Sequence, residues 1–296
     1  MSHMYYRRKV SLALIQRFGS LSQLKFQKLL FLLSMRQVKP AYDFVPYKFG
    51  CFSFQSLADK RALIFYGYLK ADEKRWVLTK PEDFHSQLTS TDQAALAKLY
   101  RDFGKYNESD LIRYTYTEYP YYAINSEIKD KYLNVLSAGL VENAAPKHTG
   151  HALMTIGYEG LNLDAYLNRL IQNNVHALVD VRRNAKSMKY GFSKNQLQSA
   201  VEKLGIAYIH LPDFGIQSSE RQNLNTDKAY ANLFKTYRNT LRDTDADSFA
   251  QFREALNKYG RIALTCFEAD AHHCHRSHLA THLSQSYLTE LSPVHI

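Results

Sequence analysis

The chain has 296 residues, more than a single core usually supports, so two domains are the default expectation. Hydrophobic residues make up 45%, no run approaches the length of a bilayer span, and the start lacks an apolar secretory segment. Three cysteines leave one over after any pairing and resemble no secreted disulfide framework, which points to the cytoplasm.

The net charge of +10 is uneven: residues 1–150 hold 22 Lys and Arg against 14 Asp and Glu, residues 151–296 hold 16 against 14. Arg7, Arg8, Lys9, Arg17, Lys25, Lys28, Arg36 and Lys39 all precede Asp43, the first acidic residue. Clustered cations without counter-charges attract a phosphate backbone through counterion release, so Arg7, Arg8, Lys9, Lys25 and Lys28 are the candidate DNA contacts. A solvated basic surface is the plainer alternative.

In chain order, Met1-Ser-His-Met4 reads as a tag remnant, with Met4 the expected start. Arg8–Phe18 and Leu21–Met35 carry apolar residues at helical spacing, with Ser20 a candidate cap for the second. Phe44–Phe54 reads as an aromatic loop, Phe54–Gly67 as a third helix, and Tyr68–Thr79 as a hairpin turning at Asp72-Glu73. Three helices and a hairpin are the winged-helix order, here over residues 1–90. The segments Leu24–Leu33 (LKFQKLLFLL) and Tyr42–Ser53 (YDFVPYKFGCFS) resemble the winged-helix-like domain of bacterial and archaeal proteins with a KLQKLLFLL…YDFVPYKYGPFS signature. The sequence departs from it at Cys51, where those proteins more often have proline. Residues 91–140 read as a helical extension interrupted by Tyr114–Tyr122 (YTYTEYPYY), an aromatic cluster more suited to packing than to stacking on bases. Residues 141–150, VENAAPKHTG, read as a linker.

Beyond it strands and helices alternate: strand 151–157, helix 163–173, strand 177–182, helix 194–204, strand 207–211, helices 227–241 and 248–258, strand 261–267, helix 275–287. The expected fold is therefore α/β, a doubly wound parallel sheet domain over 151–296 behind a mainly α winged-helix-like domain. Ligands in such sheets sit beyond the carboxyl ends of the strands, which gathers Tyr158, Asp180, Arg182, Arg183 and Glu268 at one edge. Gly157 and Gly160 are too few for a dinucleotide fingerprint, and no cofactor is expected.

The stretch Cys266–Arg276 (CFEADAHHCHR) concentrates the chemistry. Cys266, His272, His273, Cys274 and His275 have metal-donor atoms, but no Cys-x-x-Cys partner exists, so no metal is assigned. Cys274 at a helix start beside His275 and Arg276 is a candidate nucleophile, in a rhodanese-like or phosphatase-like loop, while Cys266 reads equally as a core residue ending a strand. The preferred reading is a polar pocket for a phosphorylated or nucleoside-like group. Arg182, Arg183 and Arg276 are its planar donors, Asp180 and Glu268 its acid/base candidates, and Lys186–Ser193, with Lys186 and Tyr190, its lid or clasp. Asp180 with Arg182 or Arg276 reads almost as well as a structural ion pair.

Thr155-Ile-Gly157, Val179-Asp-Val-Arg182, Tyr208-Ile-His-Leu-Pro212, and Glu268 with His273-Cys-His-Arg276 resemble the bacterial domain-of-unknown-function family 488. That resemblance implies a fold and no settled chemistry. The combined expectation is a cytoplasmic nucleic-acid processing enzyme, a hydrolase or glycosylase acting on modified or damaged DNA in repair or anti-phage defence. The alternatives are a ligand-sensing DNA-binding regulator without catalysis, a rhodanese-like or phosphatase-like cysteine enzyme, and a protein-pairing module. DNA is the expected partner, membranes are not, and the oligomeric state, a homodimer included, stays open.

Overall fold

The computed structural model describes residues 4–80, 82–221, 224, 226–241, 246–287 and 292–296; residues 1–3, read above as a tag remnant, lie outside it. The chain divides into two units between Ala145 and Pro146.

In the first unit, α1 (Tyr6–Phe18) is followed by β1 (Leu21–Ser22) and α2 (Gln23–Ser34). Ser22, not Ser20, caps α2, accepting a bond from the Lys25 amide at 3.1 Å, because Leu21 and Ser22 pair with β4 (Arg75–Trp76). A cap needs extended backbone, and that pairing supplies it. Helix α2 is buried from Phe26 to Ser34, and Phe26 stacks on Trp76 with centroids 3.6 Å apart. Phe44–Phe54, expected as a loop, contains an antiparallel hairpin of β2 (Val45–Tyr47) and β3 (Gly50–Phe52), which precedes α3 (Phe54–Phe65). The Asp72 turn is present, with Oδ1 accepting the Lys74 and Arg75 amides and Lys70 N donating to Val77 O at 2.9 Å. Helices α4 (Ser90–Phe103), α5 (Glu108–Glu118), α6 (Lys129–Tyr132) and α7 (Val135–Ala144) follow, the last running into the segment read as a linker. Tyr119 and Tyr122 of the tyrosine cluster meet Phe31 edge-on, and Tyr116 is fully buried, so these three rings pack inside the unit.

The expected cationic stripe is largely dismantled by this fold. Arg7 and Arg8 both place Nε 2.6 Å from the fully buried Asp59 carboxylate. Lys25 Nζ donates to Tyr106 O at 2.8 Å. Lys28 is 1% exposed, with Nζ 2.6 Å from Phe49 O and 3.6 Å from Cys51 Sγ, and burial lowers its proton affinity against the partial offset of Cys51. Lys9 is half-buried on α1. Residues distant in sequence supply the counter-charge and carbonyls that the local run lacks, so four of the five candidate DNA contacts hold the unit together.

The second unit is a five-stranded parallel sheet in the order β7-β6-β8-β5-β9, formed by β5 (Ala152–Gly157), β6 (Ala177–Asp180), β7 (Ala207–His210), β8 (Arg261–Cys266) and β9 (Val294–His295). Strands β6 and β8 are buried throughout, as a doubly covered parallel sheet requires. Helices α8 (Leu163–Gln172), α9 (Lys194–Glu202), α10 (Asp227–Thr240), α11 (Ala246–Tyr259) and α12 (His275–Tyr287) alternate with them, so the expected α/β class with a parallel sheet is correct. The two-residue β9 is too short to register as a period; it docks through Ile296 N to Thr155 O at 2.9 Å.

Asp59 accepts from two arginines, and the Tyr42 hydroxyl lies 3.1 Å from its Oδ2. Asp59→Ala leaves those groups uncompensated and should cost about 3 kcal/mol of unfolding free energy, measured by urea titration of the first unit's transition. A loss below about 1 kcal/mol would mean that the arginines find water instead.

Candidate active site

The chain leaves β6 toward β7 and leaves β8 toward β9, in opposite directions across the sheet. Neighbouring parallel strands whose continuations diverge open a crevice at their carboxyl ends. Asp180 ends β6 and Cys266 ends β8, so both stand at this crevice. A cavity of about 340 Å³ opens there, lined by Tyr158, Arg182, Arg183, Lys186, Arg221, Cys266 and Phe267 among others.

Asp180 and Arg182 form the structural ion pair that the sequence left open. Arg182 Nε and a terminal nitrogen lie 2.8 and 2.5 Å from the two oxygens of the fully buried Asp180, whose Oδ2 also accepts the Tyr208 hydroxyl at 2.6 Å. The remaining Arg182 donor serves the Tyr158 hydroxyl at 3.0 Å and Phe192 O at 2.8 Å. Burial opposes the arginine charge, but the Asp180 carboxylate outweighs it and holds Arg182 firmly cationic. With all three of its nitrogens engaged inside the protein, Arg182 shapes the cavity wall and is poorly placed to be the expected phosphate clamp, and Asp180 is not a free base.

Arg276 is likewise corrected. It is 2% exposed, and its terminal nitrogens donate to Glu268 O at 2.5 Å and Ala269 O at 3.1 Å, with Nε 3.4 Å from the Thr155 hydroxyl. It ties down the loop after β8 from beneath. Gly157 lets that loop approach, since a Cβ there would run into the Glu268 carbonyl. The proposed meeting of Arg182, Glu268 and Arg276 in one anion pocket therefore does not occur.

What the loop brings together is sulfur, imidazole and carboxylate. Cys266, Cys274 and His275 are all buried, with their donor atoms within 4.8 Å of one another. His275 Nε2 lies 3.2 Å from Val181 O, which fixes the Nε2–H tautomer and leaves the Nδ1 lone pair facing Cys266 Sγ at 3.7 Å and Cys274 Sγ at 3.9 Å. Glu268 Oε2 accepts from Cys266 Sγ at 3.2 Å. Arg221 completes the group, donating to Glu268 Oε1 at 2.7 Å and to His275 Nδ1 at 2.8 Å.

This geometry sorts the two thiols. The Cys274 S–H donates toward Cys266, and this, with His275 and Arg221 nearby, outweighs burial and draws the Cys266 proton affinity well below the ordinary thiol range. Burial and donation to Cys266 push Cys274 the other way. Of the two thiols, Cys266, which reads equally as a core residue in the sequence, lines the cavity and has the lowered proton affinity, while the candidate nucleophile Cys274 is buried with its affinity raised. The three donors also have the spacing of a metal site, yet Arg221 bonds to the imidazole lone pair that a metal would need, so a guanidinium fills the cation position.

Of the other expected site residues, Arg183 lines the cavity while pairing with Asp213 at 2.6 Å, and Lys186 lines it from an exposed loop position. Tyr158 stacks on Phe192 at 4.3 Å, and Tyr190 is half-buried in the same loop. Sequence reasoning missed Arg221. The carboxyl-edge rule pointed past β7 to Asp213, and continuing eight residues along that same loop would have reached it.

Arg276→Ala should remove the bonds to two loop carbonyls and lower stability by about 2–4 kcal/mol, read as a fall in the denaturation midpoint. A variant of unchanged stability would contradict the tying role.

Residues 162–283 match the model of one protein family. No curated protein and no solved structure matches the chain. The matched family is described as Domain of unknown function DUF488, and the match lies within the second unit of this chain.

Proposed function

We propose that the second unit is a cysteine-dependent enzyme in which the Cys266 thiolate attacks an electrophilic centre on a negatively charged substrate. The observation that carries this reading is the place of Cys266: it ends β8 at the crevice, in the wall of the cavity, with a guanidinium, an imidazole and a second thiol around its sulfur. A thiolate is the nucleophilic form, and these neighbours favour it at neutral pH. Glu268 and Arg221 are positioning residues. The carboxylate accepts a hydrogen bond from the protonated Cys266 thiol, and the guanidinium, paired with that carboxylate, offsets the negative charge left when the thiol ionises.

The preference for anionic substrates is supported by Arg183, Lys186 and Arg221 in the wall, two of which also meet carboxylates, Asp213 and Glu268. A nucleotide within DNA satisfies the same charge requirement. That reading now rests on the cavity, because the cations of the first unit that suggested DNA are mostly committed to internal contacts.

Alkylation by iodoacetamide, mapped by peptide mass spectrometry, tests this. Cys266 should react at least about tenfold faster than Cys51 at pH 7, with a rate midpoint below the ordinary thiol value of about 8.5. The thiolate persists as pH falls until its depressed midpoint is crossed, so the rate stays level between that midpoint and pH 8. Pyrophosphate should slow labelling, and Arg183→Ala with Lys186→Ala should weaken that protection. A Cys266 rate that keeps rising through pH 8.5, like a free thiol, would end the proposal.

A further inference from the structure

Beyond the hydrogen bond it gives to Cys266, Cys274 has no chemical step in a one-thiol mechanism. It is 1% exposed, lies behind Cys266 with the two sulfur atoms within 4.8 Å, and begins the turn into α12. A buried thiol held against a reactive one is the arrangement in which a covalent adduct on the first sulfur can be discharged by the second. We propose that Cys274 is the resolving thiol of this site and that Cys266 and Cys274 together reduce anionic disulfides, ending as a Cys266–Cys274 disulfide. The inference rests on Cys266 being the reactive thiolate.

The Cys266 thiolate attacks one sulfur of a disulfide RSSR, forming Cys266–S–S–R and releasing RS⁻. The Cys274 sulfur then attacks Cys266 Sγ, the S–R bond partner leaves as a second thiolate, and the Cys274 proton passes out with the products. His275 Nδ1 lies 3.9 Å from Cys274 Sγ but already accepts from Arg221, so the departing thiolate takes up the Cys274 proton. The protein loses two electrons and one disulfide becomes two thiols. Return to the dithiol requires an external dithiol reductant.

Three features of the site suit this sequence. The asymmetry between the thiols makes Cys266 the attacking group and leaves Cys274 protonated until the adduct forms. Access comes from the side of Cys266, which lines the cavity, so an incoming disulfide meets it first. The loop between the cysteines is anchored at Glu268 and Ala269 by Arg276, near Cys266, and at His273 by Asp270 and the Tyr230 ring, while the Cys274 backbone turns back on Ala271 O at 3.2 Å; with the sulfurs already within 4.8 Å, only a small approach of one to the other is needed.

The test uses 5,5′-dithiobis(2-nitrobenzoate), an anionic aromatic disulfide that releases a coloured thiolate at each exchange. The full-length reduced protein should release two equivalents from this site, and peptide mapping should find Cys266 linked to Cys274; mapping also separates the contribution of Cys51. Cys274→Ser should release one equivalent here and retain the mixed disulfide on Cys266, with circular dichroism confirming its fold. If that variant does not fold, the wild-type stoichiometry and mapping decide alone. A wild-type protein that stops at a stable adduct on Cys266 overturns the resolving role while leaving the nucleophile in place. Absence of any adduct or disulfide at Cys266 overturns both readings.

Discussion

The site depends on the grip of Arg276 on the loop between Cys266 and His275. A loop of this length that returns its end to its beginning exposes carbonyls to a region with little water, and each unsatisfied one would cost about 1–3 kcal/mol. Arg276 removes that penalty at Glu268 and Ala269, where a planar fork can reach two oxygens at once. The consequence is geometric: with the loop pinned, His275 and Cys274 at the start of α12 fold back onto Cys266 at the end of β8. Gly157 on the adjacent strand β5 serves the same closure by leaving room for the loop backbone.

A second buried pair frames the cavity from the other strand. Asp180 and Arg182 satisfy one another and draw in Tyr208 and Tyr158, so that the turn after β6 is rigid and the Val181 carbonyl is available to hold His275. The two arginines that the sequence offered as anion clamps therefore act one step away from substrate. Their planar donors fix backbone and carboxylate positions, and these in turn fix the imidazole. The guanidinium that does face the reacting sulfur comes from a third loop, through Arg221.

Strand and helix positions in the second unit were legible because the sheet is parallel and doubly covered: Val179 and Leu264 sit in continuous apolar runs that alternate with helical periodicity. The carboxyl-edge rule then located the crevice without coordinates. What the sequence could not convey was direction. Arg182 two residues after Asp180 looks the same whether it reaches into solvent or curls back on its neighbour, and the outcome depends on Tyr158, Tyr208 and Phe192 filling the remaining space. Cys266 stayed ambiguous for a related reason, since a small buried residue ending a strand is usually packing; only the return of the loop gives it partners. In the first unit the run of cations before Asp43 looked unpaired because its counter-charge, Asp59, lies some fifty residues away and is fully buried.

Burial and reactivity coexist at Cys266 because they apply to different sides of the sulfur. The residue is 2% exposed, and Cys274, His275 and Glu268 crowd one side, while the cavity meets the other. An electrophile must therefore present a slender reacting end, with its bulk and charge left toward Lys186 and the half-exposed ring of Phe267. A bond between two sulfurs, flanked by an anionic ring or chain, has that shape. A phosphoryl group held in line for attack would need several donors aimed at its equatorial oxygens. Here the nearest guanidinium is already divided between Glu268 and His275, which favours attack at sulfur over attack at phosphorus.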